Sequence, residues 1–356
     1  MITFAIGLSI ILLFVILFLL FRIGTLASIF RGSTKQAAGT TKTSNRINGT
    51  MMLLFLFVGG AAFAWSFIES WDEMNQPLAS VHGEWTDSLF WTTMIIIGIV
   101  FVITQILLFI YSYKYQHKDD KRAYYYPHNN KLEVIWTMIP AVVMAILVFA
   151  GWKTWTNITS AAPEDAVVVE VMGKQFNWMV RYPGPDGKLG VAKHTLIDAT
   201  NEFGVDFSDK NAQDDFMPRE IHVPKGKPVL LKIRSRDVIH SVFMPHFRLK
   251  MDAVPGMPTK FWFVPTKTTA EMQNETGNPD FKYELACTEI CGRGHFAMRF
   301  IVIVDEQEDY DKWLSEQKPF IEQNPGVMAN FTAEPQKELV SAKKAEVPAQ
   351  EVKTEL

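Results

Sequence analysis

The feature that most restricts how this chain can fold is a set of four long apolar runs, all before Trp152: approximately Ile2 to Phe21, Thr50 to Ile68, Leu89 to Tyr113 and Val134 to Trp152. A helix rises about 1.5 Å per residue and needs roughly 20 apolar residues to cross a hydrocarbon layer about 30 Å thick. Each run meets that demand, so the four are read as membrane-spanning helices and a wholly soluble protein is excluded. The first run lacks a positive residue before its apolar core, the core is too long for a secretory leader, and no clear small-x-small cleavage site follows. It is therefore read as retained.

Loop charge orients the spans, because Lys and Arg close to a membrane favour the cytoplasmic side. The first loop carries Arg22, Arg31, Lys35, Lys42 and Arg46, and the third carries Lys114, Lys118, Lys121, Arg122 and Lys131. The second has Glu69, Asp72, Glu73, Glu84 and Asp87 without a Lys or Arg. This places both termini, and everything after Trp152, outside a plasma (inner) membrane. Pro140 falls inside the fourth span, where neighbouring helices can satisfy the carbonyl it frees. Glu133 stands at the cytoplasmic start of that span, where an acid suits the helix dipole; by itself this is a solvated helix-start carboxylate.

Beyond Trp152 the pattern changes to short β-rich runs: Val167 to Val171, Phe176 to Tyr182, Val229 to Ile233, Lys260 to Val264 and Met298 to Val304. The turns Pro183-Gly184-Pro185-Asp186-Gly187 and Pro224-Lys225-Gly226-Lys227-Pro228 punctuate them. No amphipathic helix of comparable length interrupts the series, which predicts an antiparallel sandwich or barrel of about 150 residues. Glu306 to Gln323 has helical composition, and from about Ala333 an Ala, Glu, Lys and Pro rich tail has too few apolar residues to fold. A net charge of -3 over 356 residues, with no basic stripe, excludes nucleic acid as a partner.

The chemistry concentrates in Cys287-Thr288-Glu289-Ile290-Cys291-Gly292-Arg293-Gly294-His295-Phe296-Ala297-Met298, with His240 upstream, and these are the chain's two cysteines. A Cys-x3-Cys pair alone fits a strained disulfide or a zinc clip. Neither explains His, Met and the intervening glycines together, whereas two thiolates, two imidazoles and a thioether are the soft set that favours copper. Two bridging sulfurs can hold two coppers, each completed by one His and one weak ligand, and a shared electron then changes each bond little. Such a site carries electrons rather than making bonds. His222 and His246 are read as surface or turn residues, and Met244, Met251 and Met257 as packing residues.

At these residues, and at Asp237 to Pro265 with His240-Ser241-Val242 and Lys250-Met251-Asp252-Ala253-Val254-Pro255-Gly256, the chain resembles subunit II of a haem-copper cytochrome c oxidase over roughly Leu89 to Leu314. The resemblance implies N-terminal transmembrane helices followed by an all-β, cupredoxin-like Greek-key sandwich or barrel. Residues 1–86 would then hold two extra helices, 87–155 the usual two-helix anchor, 156–330 the external copper A domain and 331–356 a disordered tail. It implies Cys287 and Cys291 as bridging thiolates, His240 and His295 as imidazole ligands, and Met298 and the main-chain carbonyl of Glu289 as weak ligands. The Glu289 carboxylate would help hold magnesium or manganese at the subunit I interface, and Glu133 would open a proton channel into subunit I.

In the family an aromatic patch receives the electron from cytochrome c, with Trp at the first aromatic of a Gly-x-Gln-aromatic run. Here Gly173-Lys174-Gln175-Phe176-Asn177-Trp178 puts Phe176 at that place and keeps Trp178, and these two are the expected electron acceptors. Asp214, Asp215, Asp237 and Asp252 are candidates for an acidic docking face, Asp237 foremost. The implied partners are oxidase subunits I and III, which with subunit II reduce oxygen and pump protons, membrane lipid, and cytochrome c or a cytochrome c domain of another complex. No Cys-x-x-Cys-His occurs near the C-terminus, so haem is expected only in partner chains. The extra helices are expected to pack against subunit I, subunit III or a neighbouring respiratory complex. A quinol oxidase subunit shares the fold but lacks these copper ligands; a stand-alone membrane-tethered copper carrier is the competing reading, for which four spans and Glu133 would be superfluous.

Overall fold

The computed structural model describes residues 2–30, 42–118 and 120–327. They form two compact units, one from residues up to Met74 with Thr93–Ile139, the other from Asn75–Thr92 with the chain from Pro140 onward. The apolar runs become helices: α1 (Ile2–Phe30), α2 (Lys42–Glu69), the single turn α3 (Trp71–Met74), α4 (Val81–Lys114) and α5 (Asn130–Ile158). All four long helices outrun the expected spans, because the flanking residues also suit a helix; α1 continues through Leu26 and Ile29 past Phe21. Among the described residues, three helices are long and apolar enough to cross a membrane, within Ser44–Glu69, Val81–Lys114 and Asn130–Ile158. In α1 the comparable run is Ile11–Ala27; residues 2–6 and 8–10 of the first expected span lie outside the described side chains.

Large apolar side chains on these helices face outward, as at Phe14, Phe57, Ile95 and Phe149, each at least 60% exposed. Such surface is compatible with lipid rather than water. Pro140 lies inside α5 without ending it. At its start, the Leu132 amide donates to Asn129 Oδ1 (3.1 Å) and the Asn129 amide to Glu133 Oε1 (3.3 Å), a reciprocal cap in which Glu133 is exposed.

The second unit is a two-sheet sandwich. One sheet has the order β2 (Asn177–Arg181), β1 (Val167–Lys174), β4 (Val229–Ser235), β7 (Thr259–Phe263). The other runs β3 (Ile221–Pro224), β9 (Arg299–Asp305), β8 (Tyr283–Cys287), β5 (His240–Met244), β6 (Leu249–Ala253). Alternate residues turn inward: Val169, Val171, Leu231, Ile233 and Phe263 from the first sheet meet Ile221, Val242, Leu249, Leu285 and Val302 from the second in one buried core. The expectation of an antiparallel sandwich needs a correction, since β1 pairs with β4, and β3 with β9, in parallel. Parallel neighbours need a long crossover, and here each pair is separated by several intervening elements.

Gly187 (φ 68°) and Gly226 (φ 77°) take left-handed conformations in the two turns identified from Pro and Gly. A short helix, α6 (Thr269–Thr276), does interrupt the strands, against expectation. Thr268 and Glu271 form a capping box, and left-handed Gly277 ends it. The expected helical stretch at 306–323 divides into α7 (Gln307–Ser315) and α8 (Phe320–Gln323), with Pro319 immediately before the second. The expected disordered tail at 331–356 lies outside the described residues.

Asn75–Thr92 is strapped to the β sandwich. Ser80 bridges Pro265, the Ala79 amide donates to His246 O (2.8 Å) and the Val81 amide to Val264 O (3.1 Å). Arg248, at φ 52°, fixes this strap by donating to both carboxylate oxygens of Asp87 (2.7 and 3.0 Å) and to Gln76 O (2.7 Å). Arg248→Ala is expected to cost about 2 kcal/mol and to speed amide exchange at Ala79 and Val81, measured by mass spectrometry on the full chain. Unchanged exchange there would mean the strap is held by its main chain alone.

Candidate metal centre

His240 opens β5, and its neighbour β8 ends on Cys287, with Val242 in register with Cys287. The chain then loops through residues 288–298 into β9. The Cys287 amide donates to Met298 O (3.1 Å) and the Thr288 amide to Ser241 O (3.2 Å), which closes the loop onto the sheet. Gly292 has φ 134°, and a Cβ there would lie 2.9 Å from the Phe176 ring; at Gly294 it would lie 2.5 Å away. Glycine at both places lets the loop lie flat on Phe176.

The donors converge as the spacing predicts. His240 Nδ1, Cys287 Sγ and Cys291 Sγ lie within 4.8 Å of one another, the group among the described residues placed to hold a metal ion. Cys287 Sγ is 3.9 Å from His240 Nδ1 and 3.3 Å from Glu289 O. Cys291 Sγ is 3.6 Å from His295 Nδ1 and 3.5 Å from Met298 Sδ. Each sulfur thus faces its own imidazole and its own weak donor. Both cysteines are buried and free, which removes the disulfide alternative from this conformation. Burial, and secondly the neighbouring Cys287, push the Cys291 thiol up to about 11. A cation bound at this sulfur would favour its thiolate form. The soft N2S3 set plus one carbonyl fits copper better than zinc, which does not call on a thioether.

Three residues support the donors. Asp237 holds His240 Nε2 at 2.8 Å, leaving Nδ1 toward the sulfurs. Its carboxylate accepts from the Gln175 and Val238 amides, both at 2.7 Å. Desolvation works against its charge, yet these amides and His240 hold the carboxyl below the usual range. Gly173 and Gln175 were missed as site residues. A Cβ at Gly173 would come within 2.8 Å of the His240 ring, and Gln175 Nε2 donates to Cys291 O at 2.5 Å. Their signal in the sequence is the Gly-x-Gln-aromatic run that also holds Phe176. Asp237→Asn is expected to lower metal affinity about 10- to 100-fold, the usual effect of losing a ligand's hydrogen-bond partner. Competition with a chelator measures it; affinity equal to wild type would show that packing alone orients His240.

The structure separates the two expected electron acceptors. Phe176 is 39% exposed, but Trp178 is fully buried, its ring 5.9 Å from that of His240 in a T-shaped contact. Trp178 therefore cannot meet a partner at the surface. The proposed acidic face also loses a member: Asp215 is buried against Arg181 at 2.7 Å. Asp214 accepts from the Asp186 amide and Asp252 from Ser241 Oγ, while Asp237 supports His240.

His222 is not a turn residue: it lies in β3, 2.7 Å from Asp305 and stacked on Trp313. His246 is half-buried rather than on the surface, bonded to Pro77 O and packed on Phe281 and Tyr283. Met244 is core and Met251 packs against it, but Met257 is 57% exposed, because it follows the tight turn at Gly256.

Two family models match: the transmembrane domain of cytochrome c oxidase subunit II at residues 69–153 and its periplasmic domain at 167–305. The chain is 34% identical over 275 residues to the alternative cytochrome c oxidase subunit 2 of Bradyrhizobium diazoefficiens, spanning 76% of this chain and 92% of that protein. The chain belongs to the cytochrome c oxidase subunit II family. Its similarity to cytochrome c oxidase subunit 2 of Cereibacter sphaeroides is 26% over 258 residues, 68% of this chain and 78% of the other. The solved periplasmic domain of subunit II of cytochrome oxidase of Bradyrhizobium japonicum is 25% identical, with a TM-score of 0.30, over 44% of this chain and 95% of that one. The sandwich is thus the family's cupredoxin-like outer domain, carried on membrane helices, and the centre lies in a copper-binding oxidase subunit. The transmembrane match begins at residue 69, so α1 and nearly all of α2 precede it.

Proposed function

We propose that this subunit accepts electrons from cytochrome c at a dinuclear copper A centre and passes them to haem in subunit I, where oxygen is reduced and protons are pumped. The observation that carries this reading is the pairing of each sulfur with its own imidazole and weak donor. Cys287, Cys291, His240, His295, Met298 and the main-chain carbonyl of Glu289 would hold the copper. When bound, the copper pair supplies a one-electron couple whose charge is shared. The chain's residues do the rest: Asp237 fixes His240, Gln175 ties down Cys291, and Trp178 and the core exclude water.

Of the two aromatics in the Gly-x-Gln-aromatic run, Phe176 is the one a donor can meet at the surface, while Trp178 acts from the interior against His240. The exposed Glu289 side chain, beside the carbonyl that faces Cys287, suits a hard cation such as magnesium or manganese shared with subunit I. Both termini and the copper domain lie on the periplasmic side of a multi-pass inner-membrane protein. The helices before residue 69 pack against subunit I, subunit III or a neighbouring respiratory complex. Purification tests the assembly: the chain is expected to co-purify with a haem-bearing subunit, and recovery of a haem-free chain competent to carry electrons would favour a stand-alone carrier.

Glu133 is proposed as the mouth of a proton channel into subunit I. Glu133→Ala is then expected to slow steady-state oxygen consumption several-fold while leaving the copper spectrum unchanged. Turnover equal to wild type would leave Glu133 as the helix cap that its bond to Asn129 makes it.

A further inference from the structure

A cavity of about 930 Å³ opens between β2, the start of β9 and the segment around α8, and one of its walls is Trp178. That volume lies in the range of small-molecule sites, about 300–1,000 Å³. Phe203, Met217, Phe300 and Phe320 give it apolar walls, and Arg219 and Arg299 also line it. Both arginines are exposed, and Arg299 is only loosely paired, 3.4 Å from Glu284. The lining acid, Glu202, is already paired with Lys174 and Arg236, so the uncompensated charge of the lining is positive. Trp178 contributes ring surface to the lining, while its indole Nε1 is buried.

We propose that this cavity binds an amphipathic organic anion, an aromatic or aliphatic carboxylate. Its apolar body lies against Phe203, Met217, Phe300, Phe320 and the Trp178 ring, and its charge is met by Arg219 and Arg299. Because the Trp178 ring touches His240, the occupant sits one side chain away from a ligand of the metal centre and alters its surroundings. Binding itself does not depend on the copper reading and is testable on the metal-free chain.

The probe is 2-naphthoate, measured by equilibrium dialysis against the full chain in lipid nanodiscs, with empty nanodiscs as the blank. One equivalent is expected to bind with half-saturation below about 1 mM. Ala199→Trp, at an exposed lining position, fills the cavity, and Arg219→Gln with Arg299→Gln removes its charge; each is expected to weaken binding at least about tenfold, the equivalent of 1.4 kcal/mol. Circular dichroism equal to wild type checks that both variants fold. No saturable uptake above the blank, or uptake that neither variant weakens, overturns the proposal. Loss in Ala199→Trp alone overturns the assignment of an anion.

Discussion

Cys291→Ser is expected to abolish cytochrome c-driven oxygen consumption while the polypeptide still folds and inserts. Cys291 Sγ stands 3.6 Å from His295 Nδ1 and 3.5 Å from Met298 Sδ, so two further donors converge on it. A serine oxygen is harder, shorter in reach and neutral near pH 7, so it cannot bridge two coppers. Loss of a mere hydrogen-bond partner of a metal ligand costs about 10- to 100-fold, and loss of a proposed copper ligand itself is expected to exceed about 100-fold. The fold has little reason to fail, because Cys291 sits in a loop closed by main-chain bonds from Cys287 and Thr288. Oxygen uptake by the assembled complex, with subunit content checked on a gel, measures the effect. Normal turnover in this variant would remove copper from the proposed electron path.

The second large effect is on stability and lies away from the metal. Arg181 and Glu170 face each other across the β1–β2 ladder, and Arg181 donates to Glu170 Oε2 (2.7 Å), Asp215 Oδ2 (2.7 Å) and Gly190 O (3.0 Å). Arg234 donates to the other oxygen of Glu170 at 3.0 Å. Arg181, Glu170 and Asp215 are each at most 5% exposed. Desolvation raises the Asp215 carboxyl to about 6, with Arg181 pulling in the opposite direction. Arg181→Met removes that pull and leaves two buried carboxyl groups without their shared cation. A loss of about 3–5 kcal/mol is expected, the usual cost of breaking a buried pair on one side. Denaturant unfolding of the full chain measures it. Arg181→Met combined with Asp215→Leu is expected to lose less, since the stranded acid is gone; a single-variant loss under about 1 kcal/mol would contradict this view of the network. The effect also reaches the centre, because the same two strands carry Gly173 and Trp178 against His240.

What the sequence shows and what it hides follow from the range of the forces involved. The membrane runs were readable because hydrocarbon imposes a continuous local requirement, and the cysteine loop because its ligands lie within twelve residues of one another. The turns at Gly187 and Gly226 were readable for the same reason, as local backbone chemistry. Strands β3, β5, β6 and β8 leave no such run in the sequence. Leu249-Lys250-Met251-Asp252-Ala253 and Tyr283-Glu284-Leu285-Ala286-Cys287 are short, each is interrupted by charge, and they become strands by pairing with neighbouring strands. Parallel pairing of β1 with β4 was hidden because it joins strands over 50 residues apart.

Side-chain environments were the least visible. Asp215 reads as a surface acid until the fold brings Arg181, 34 residues away, onto it. Trp178 reads as a docking residue until the sandwich closes over it. The role of Asp237 required knowing that His240 Nε2, not Nδ1, points its way. By contrast α6 left a local sign, Thr268 followed by Glu271 and then Gly277, that outweighed its weak amphipathic pattern.

Electron paramagnetic resonance on the copper-loaded full chain, with copper counted on the same sample, tests the proposed dinuclear centre. Two coppers per chain, sharing one unpaired electron over both nuclei, is the expected result. One copper with a localised signal, or zinc in its place, would contradict it.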